Sequence, residues 1–104
     1  MPRFAFVMSL HPGCDGEYER RHNPIWPEFE QVLKEHGVSN YSIFIGPERH
    51  QLFGYLELED LERWKAIGEH PVCKKWRFYM ADIMPTGSNG GPVMSKLIEV
   101  FHFQ

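Results

Sequence analysis

The stretch NYSIFIGPERHQLFGYLELE, residues 40–59, decides the fold. Its two ends, NYSIFIG and QLFGYLELE, are rich in β-branched and aromatic residues and read as strands. GPERHQ between them carries the glycine and proline of a turn, so the pair makes an antiparallel hairpin. Upstream, RFAFVMSL at residues 3–10 alternates Phe4, Phe6, Met8 and Leu10 with Ala5, Val7 and Ser9, a bulky side and a small one. HPGCDG stops that strand, and a helical period follows in which Ile25, Phe29, Val32 and Leu33 share a face before His36 and Gly37 end it. Downstream, Asp60 is placed to cap a second helical region running from Leu61 toward Met84. Trp64 and Ile67 lie on one stripe of it, Val72, Trp76, Tyr79 and Ile83 on the continuation, and Pro71 interrupts it. The glycine-rich PTGSNGGP at 85–92 leads to SKLIEVFHF at 95–103, a last strand in which Leu97, Glu99, Phe101 and Phe103 alternate with Ile98, Val100 and His102.

The order βαββαβ, spread over residues 1–104 as one domain, predicts an α+β ferredoxin-like fold: a four-stranded antiparallel sheet with both helical regions on one face. The other face then lies bare. Yet the strands are apolar on both sides, with Phe4 against Val7, Ile43 against Phe44 and Leu52 against Phe53. Either a large ligand or a second copy of the chain must cover it. No sequence is left over to supply the cover, so a face-to-face homodimer is the economical solution.

Composition excludes several function classes. A net charge of −3 and a pI near 6.0 give no basic field for a phosphate backbone, so no nucleic-acid partner is expected. Cys14 and Cys73 stand in no ligand spacing and read as reduced thiols of a cytoplasmic protein. The apolar run in MPRFAFVMSLHPG is too short for a signal peptide or a membrane span, so no membrane association is expected. Histidines 11, 36, 50, 70 and 102 show no metal-ligand pairing, and no metal site is expected. PTGSNGGP follows a helix and precedes a strand, the reverse of a phosphate-binding loop, and reads as a connection or a lid.

Chemistry concentrates in YERRHNPIWPEFEQVLKEHG, residues 18–37, a helical stretch with two prolines set into it. Tyr18 and His22 are four residues apart and stand one above the other on a helix, where they can be plain surface residues or can meet one ligand together. Asn23 precedes a proline and avoids the α region, so it is expected to end one helical piece and cap the next, with Pro24 at the first position; Pro27 would still remove a backbone bond unless that helix starts nearer Trp26, so a real break rather than a gentle kink is expected. His22 then sits at a helix C-terminus, whose carbonyls favour imidazolium and should raise its pKa. A histidine poised this way is the usual general acid or base. Trp64 and Trp76 are core residues by default, although an aromatic face also packs against the C–H face of a sugar.

The segments FVM, EYERRHNPIWPE, HGVSNYSIF, ERW, VCKKW, YMADIMP and EVFHF together resemble the L-rhamnose mutarotase family over the whole chain. The resemblance implies a cytoplasmic homodimer of the dimeric α/β-barrel type that interconverts the α and β anomers of L-rhamnose without a cofactor. By it His22 is the proton donor, and Tyr18, Tyr41 and Trp76 contact the sugar. The adjoining site position falls on Arg77, where relatives can carry a second tryptophan. The same architecture also serves cofactor-free or haem-dependent monooxygenases and non-catalytic dimeric binding proteins, and fold alone does not choose among them.

Overall fold

Strand alternation and two capped helical regions build the architecture seen in the computed structural model, which describes residues 2–104. The elements run β1 (Arg3–Ser9), α1 (Asp15–His22), α2 (Pro27–Glu35), β2 (Val38–Ile45), β3 (Gln51–Leu58), α3 (Leu61–Ala66), a 3-10 turn (Ile67–Glu69), α4 (Pro71–Met80) and β4 (Met94–Lys96). The four strands form one antiparallel sheet in the order β2-β3-β1-β4. This is the ferredoxin-like α+β arrangement that the element order predicts. No helix among the described residues is long and apolar enough to cross a membrane.

The core lies between the sheet and the helices. Phe6, Met8, Leu52, Leu56 and Leu58 rise from the inner face of the sheet and pack against Tyr18, Trp76, Met80 and Met84. β1 and β3 are the central strands, and Phe6, opposite Gly54, is their meeting point. A Cβ on Gly54 would stand 2.2 Å from Cζ of Phe6, so only glycine leaves room for the tip of that ring against the neighbouring backbone. On the outer face Val7 sits beside Phe53 and Phe53 beside Phe44, and Phe44 is 63% exposed.

β2 carries a bulge that governs the site. Ser39 pairs with Glu57 and Ser42 with Tyr55, so Asn40 and Tyr41 together oppose Leu56. Asn40 takes φ 49°, a left-handed conformation asparagine tolerates, and its side chain donates to Glu57 at 2.7 Å. The extra residue keeps Val38 on the inner face and brings Tyr41 to that face as well.

Three expectations need correction. The second helical piece starts at Pro27, not at Pro24: Asn23 turns back to donate to the Glu19 carbonyl, and Trp26, extended at φ −61° and ψ 135°, is the N-cap. Pro27 then occupies the first helical turn, where no intrahelical bond is lost. The second helical region breaks at Pro71 as expected, but a 3-10 turn makes a third piece and the helix ends at Met80 rather than near Met84; Asp60 does cap the first piece, accepting from the Glu62 amide, while His70 caps α4 by accepting from the Val72 amide ahead of Pro71. The last strand is short. The regular ladder with β1 covers only Met94–Lys96; the Leu97 amide still donates to the Ala5 carbonyl at 2.8 Å and Arg3 to Glu99, but residues 97–104 adopt no regular structure.

Candidate active site

Helical spacing brings the first two predicted residues together. Tyr18 and His22, one turn apart on α1, stack with ring centroids 4.2 Å apart. Trp76, from α4, presents its edge to His22 at 5.1 Å. Tyr41 enters from the bulged strand, edge-on to Phe6 and Trp64. All four, with Arg77, line one cavity of about 1020 Å³ between sheet and helices. Its size exceeds what a monosaccharide fills and lies at the upper end of ordinary ligand pockets, roughly 300–1,000 Å³.

The geometry fixes the tautomer of His22. Nδ1 lies 2.9 Å from the Tyr18 carbonyl oxygen, which can only accept, so Nδ1 carries the proton and the neutral ring offers its Nε2 lone pair. Nε2 makes no hydrogen bond among the described residues. The expected rise in the histidine's pKa is not found. Burial against Tyr18 and Trp76 holds it below the ordinary value, and the bond to the carbonyl, which favours imidazolium, only partly offsets this. His22 does end α1, but a helix end contributes only about 0.3–1 kcal/mol, less than the cost of desolvating a charged ring.

The two tyrosines behave alike. Burial pushes both phenols far above their usual range, and the charge each would acquire adds to the effect at Tyr18 because Tyr41 is close. Neither hydroxyl is held by a hydrogen bond among the described residues. They stay protonated at any physiological pH and remain available as donors to whatever enters the cavity.

Trp76 serves two purposes. It is 8% exposed, with Trp26 edge-on at 5.1 Å and Phe29 at 5.0 Å, so it is a core residue as well as a wall beside His22.

One residue that positions the site escaped the sequence reading. Arg21 donates to Glu17 at 2.7 Å, to Asp82 at 2.9 Å and to the Tyr79 carbonyl at 2.6 Å, and its guanidinium covers the Tyr79 ring at 4.6 Å. It ties the last turn of α1 to the C-terminal end of α4, and so holds His22 against Trp76. Arg20 and then Arg21 hold the Glu17 carboxyl at about 2. The i,i+4 spacing of Glu17 and Arg21 was the available signal. Among the described residues no three His, Cys, Asp or Glu side chains gather as a metal ion would require.

Comparison with known proteins gives the same chemistry a lineage. The family model described as L-rhamnose mutarotase matches residues 3–103. An L-rhamnose mutarotase of Opitutus terrae is 57% identical over 102 residues, covering 98% of each chain, and one of Pectobacterium carotovorum is 51% identical over the same share. The crystal structure of an L-rhamnose mutarotase from Formosa agariphila superposes with a TM-score of 0.88 at 40% identity, covering 100% of both chains. A dimeric ferredoxin-like protein from an uncultured marine organism shares only the fold, with a TM-score of 0.65 at 12% identity over 98% of this chain and 97% of its own. Full-length identity above one half carries far more than architecture, and this chain belongs to the L-rhamnose mutarotase family.

Proposed function

We propose that the chain interconverts the α and β anomers of L-rhamnose, with His22 moving the proton and Tyr18, Tyr41, Trp76 and Arg77 contacting the sugar. The observation that carries the reading is the Tyr18–His22 stack at the cavity, with Nδ1 committed to a carbonyl and Nε2 open. Anomer exchange breaks the bond between C1 and the ring oxygen. Neutral Nε2 takes the proton of the anomeric hydroxyl, the O1–H electron pair forms the C1=O1 bond, and the C1–ring-oxygen bond breaks. The ring oxygen then takes the proton back from the imidazolium. Both oxygens hang on the same carbon, so one nitrogen serves each in turn, and His22 is base first and donor second. Rotation about C1–C2 and the reverse sequence close the ring on the other face. Tyr18 and Tyr41 donate hydrogen bonds that steady the oxygen on which charge develops.

Two further readings accompany this one. The apolar row Val7, Phe53 and Phe44 on the outer sheet face suits a face-to-face homodimer. Cys14 and Cys73 are both free thiols, which suits a reducing, cytoplasmic setting.

Saturation-transfer NMR on L-rhamnose watches the two anomers exchange directly. Wild-type protein should speed the exchange, and His22→Ala should lower the protein-dependent rate by roughly 10²–10⁴-fold, the range of general acid–base catalysis. An Ala variant working at the parent rate would remove His22 from the mechanism.

A further inference from the structure

Five of the six arginines pair with a carboxylate: Arg3 with Glu99, Arg20 and Arg21 with Glu17, Arg49 with Asp15, Arg63 with Glu59. Arg77 is the exception among the described residues. It is half-buried on α4 and lines the cavity that holds His22, and its one hydrogen bond goes to a neutral acceptor, the Gly68 carbonyl, at 2.7 Å.

Two glycines make room for it. A Cβ on Gly91 would stand 3.0 Å from Cδ of Arg77, and one on Gly68 would stand 3.3 Å from Nη1. The side chain therefore runs between the 3-10 turn and the glycine-rich loop, with Nη2 spent on Gly68 and the remaining N–H groups of the fork uncommitted among the described residues. Its charge reaches Cys73, whose thiol is pushed up by burial and drawn back by Arg77. A half-buried guanidinium without a counter-charge is costly unless something that enters the site supplies one. A planar fork with spare donors fits a carboxylate in two-point contact better than it fits a methyl group.

From this, and resting on the anomer-exchange reading above, we propose that Arg77 is a specificity-determining residue that admits sugar acids: the enzyme also interconverts the anomers of a hexuronate, its carboxylate held by Arg77. The anomeric hydroxyl and the ring oxygen are unchanged in such a substrate, so the proton transfers by His22 are the same.

Three sugars that differ at one carbon test this: L-rhamnose with a methyl, L-mannose with a hydroxymethyl and L-mannuronate with a carboxylate. Saturation transfer gives kcat/KM for each with the wild-type protein, Arg77→Met and Arg77→Lys. Wild-type should exchange L-mannuronate, with a KM that rises with salt while that for L-rhamnose does not. Arg77→Met should lower kcat/KM for L-mannuronate by roughly 10- to 100-fold more than for L-rhamnose, as loss of hydrogen bonds to a charged group does. L-Mannose should fall between, and Arg77→Lys should recover part of the loss. Equal losses on all three sugars, or a wild-type protein that turns over L-rhamnose but not L-mannuronate, would overturn the inference and leave the proposed function standing. No exchange of L-rhamnose by the wild-type would instead overturn the proposed function.

Discussion

Gly54→Ala should loosen the fold and the site together. The added Cβ would meet three atoms of the Phe6 ring at 2.2, 2.5 and 2.6 Å, against about 3.4 Å for ordinary contact, so the ring must retreat by roughly an ångström. Phe6 is 1% exposed and flanked by two rings, Phe4 at 5.9 Å and Tyr41 edge-on at 6.3 Å, ring centre to ring centre, so its retreat disturbs both. Overpacking of this kind costs about 1–3 kcal/mol. The stiffer unfolded chain of the alanine variant returns about 0.4–1 kcal/mol. A net loss of about 1–2 kcal/mol in a chain of this length lowers Tm by roughly 5–15 °C. Thermal unfolding followed by circular dichroism at fixed protein concentration measures it. Phe6→Leu with Gly54→Ala completes a double-mutant cycle, and the pair should show a favourable coupling of at least about 0.5 kcal/mol because the smaller side chain vacates the space the methyl needs. A Gly54→Ala variant melting with the parent, or a cycle without coupling, would refute the reasoning. Since the displaced ring leans on Tyr41, anomer exchange should slow even in the folded fraction.

Activity should rise with pH and then level off. Burial holds the His22 pKa below the ordinary value near 6.5, and neutral Nε2 is the working form, so the limb lies on the acid side and a saturation-transfer pH series should show no fall between about 7 and 9. A rate that drops as pH climbs through neutrality would instead put imidazolium in the resting enzyme. The outer sheet face predicts a dimer at micromolar concentration, with a mass twice the 12.3 kDa of the chain in sedimentation, and Phe53→Lys should shift it toward monomer. A stable monomeric parent would end that idea.

Much of the fold could be read from residue order because its signals are local. Alternation in residues 3–10 and 51–59 marks two strands, the turn residues between Ile45 and Gln51 make the hairpin, and Asp60 announces its helix. The failures have physical causes. The position of Asn23 ahead of Pro24 suits a forward cap, yet its amide bonds backward to Glu19, and two prolines in close succession look alike until the Trp26 backbone is known. The terminal alternation over SKLIEVFHF is a true strand pattern, and Leu97 and Glu99 still reach Ala5 and Arg3 of β1, but β1 begins at Arg3, opposite Glu99, so residues 100–103 have no strand edge beside them. At the site, the spacing of Tyr18 and His22 was sufficient to stack them. The sign of the His22 shift was not legible, because it is set by burial, part of which comes from Trp76, 54 positions along the chain, and no helix-end argument contains that neighbour.

The bulge at Asn40 makes the site a matter of parity. A strand sends successive side chains to opposite faces, so Val38 and Tyr41, an odd number of steps apart, can point the same way only if one residue goes uncounted. The downstream half of β2 is pinned by its pairing with β3 and by Gly46, which donates to the Gln51 carbonyl. A chain of nearly the same composition but one residue shorter there would have to choose between an apolar anchor at one end of the strand and a phenol in the cavity at the other. Along β2, arithmetic constrains the sequence as tightly as chemistry does.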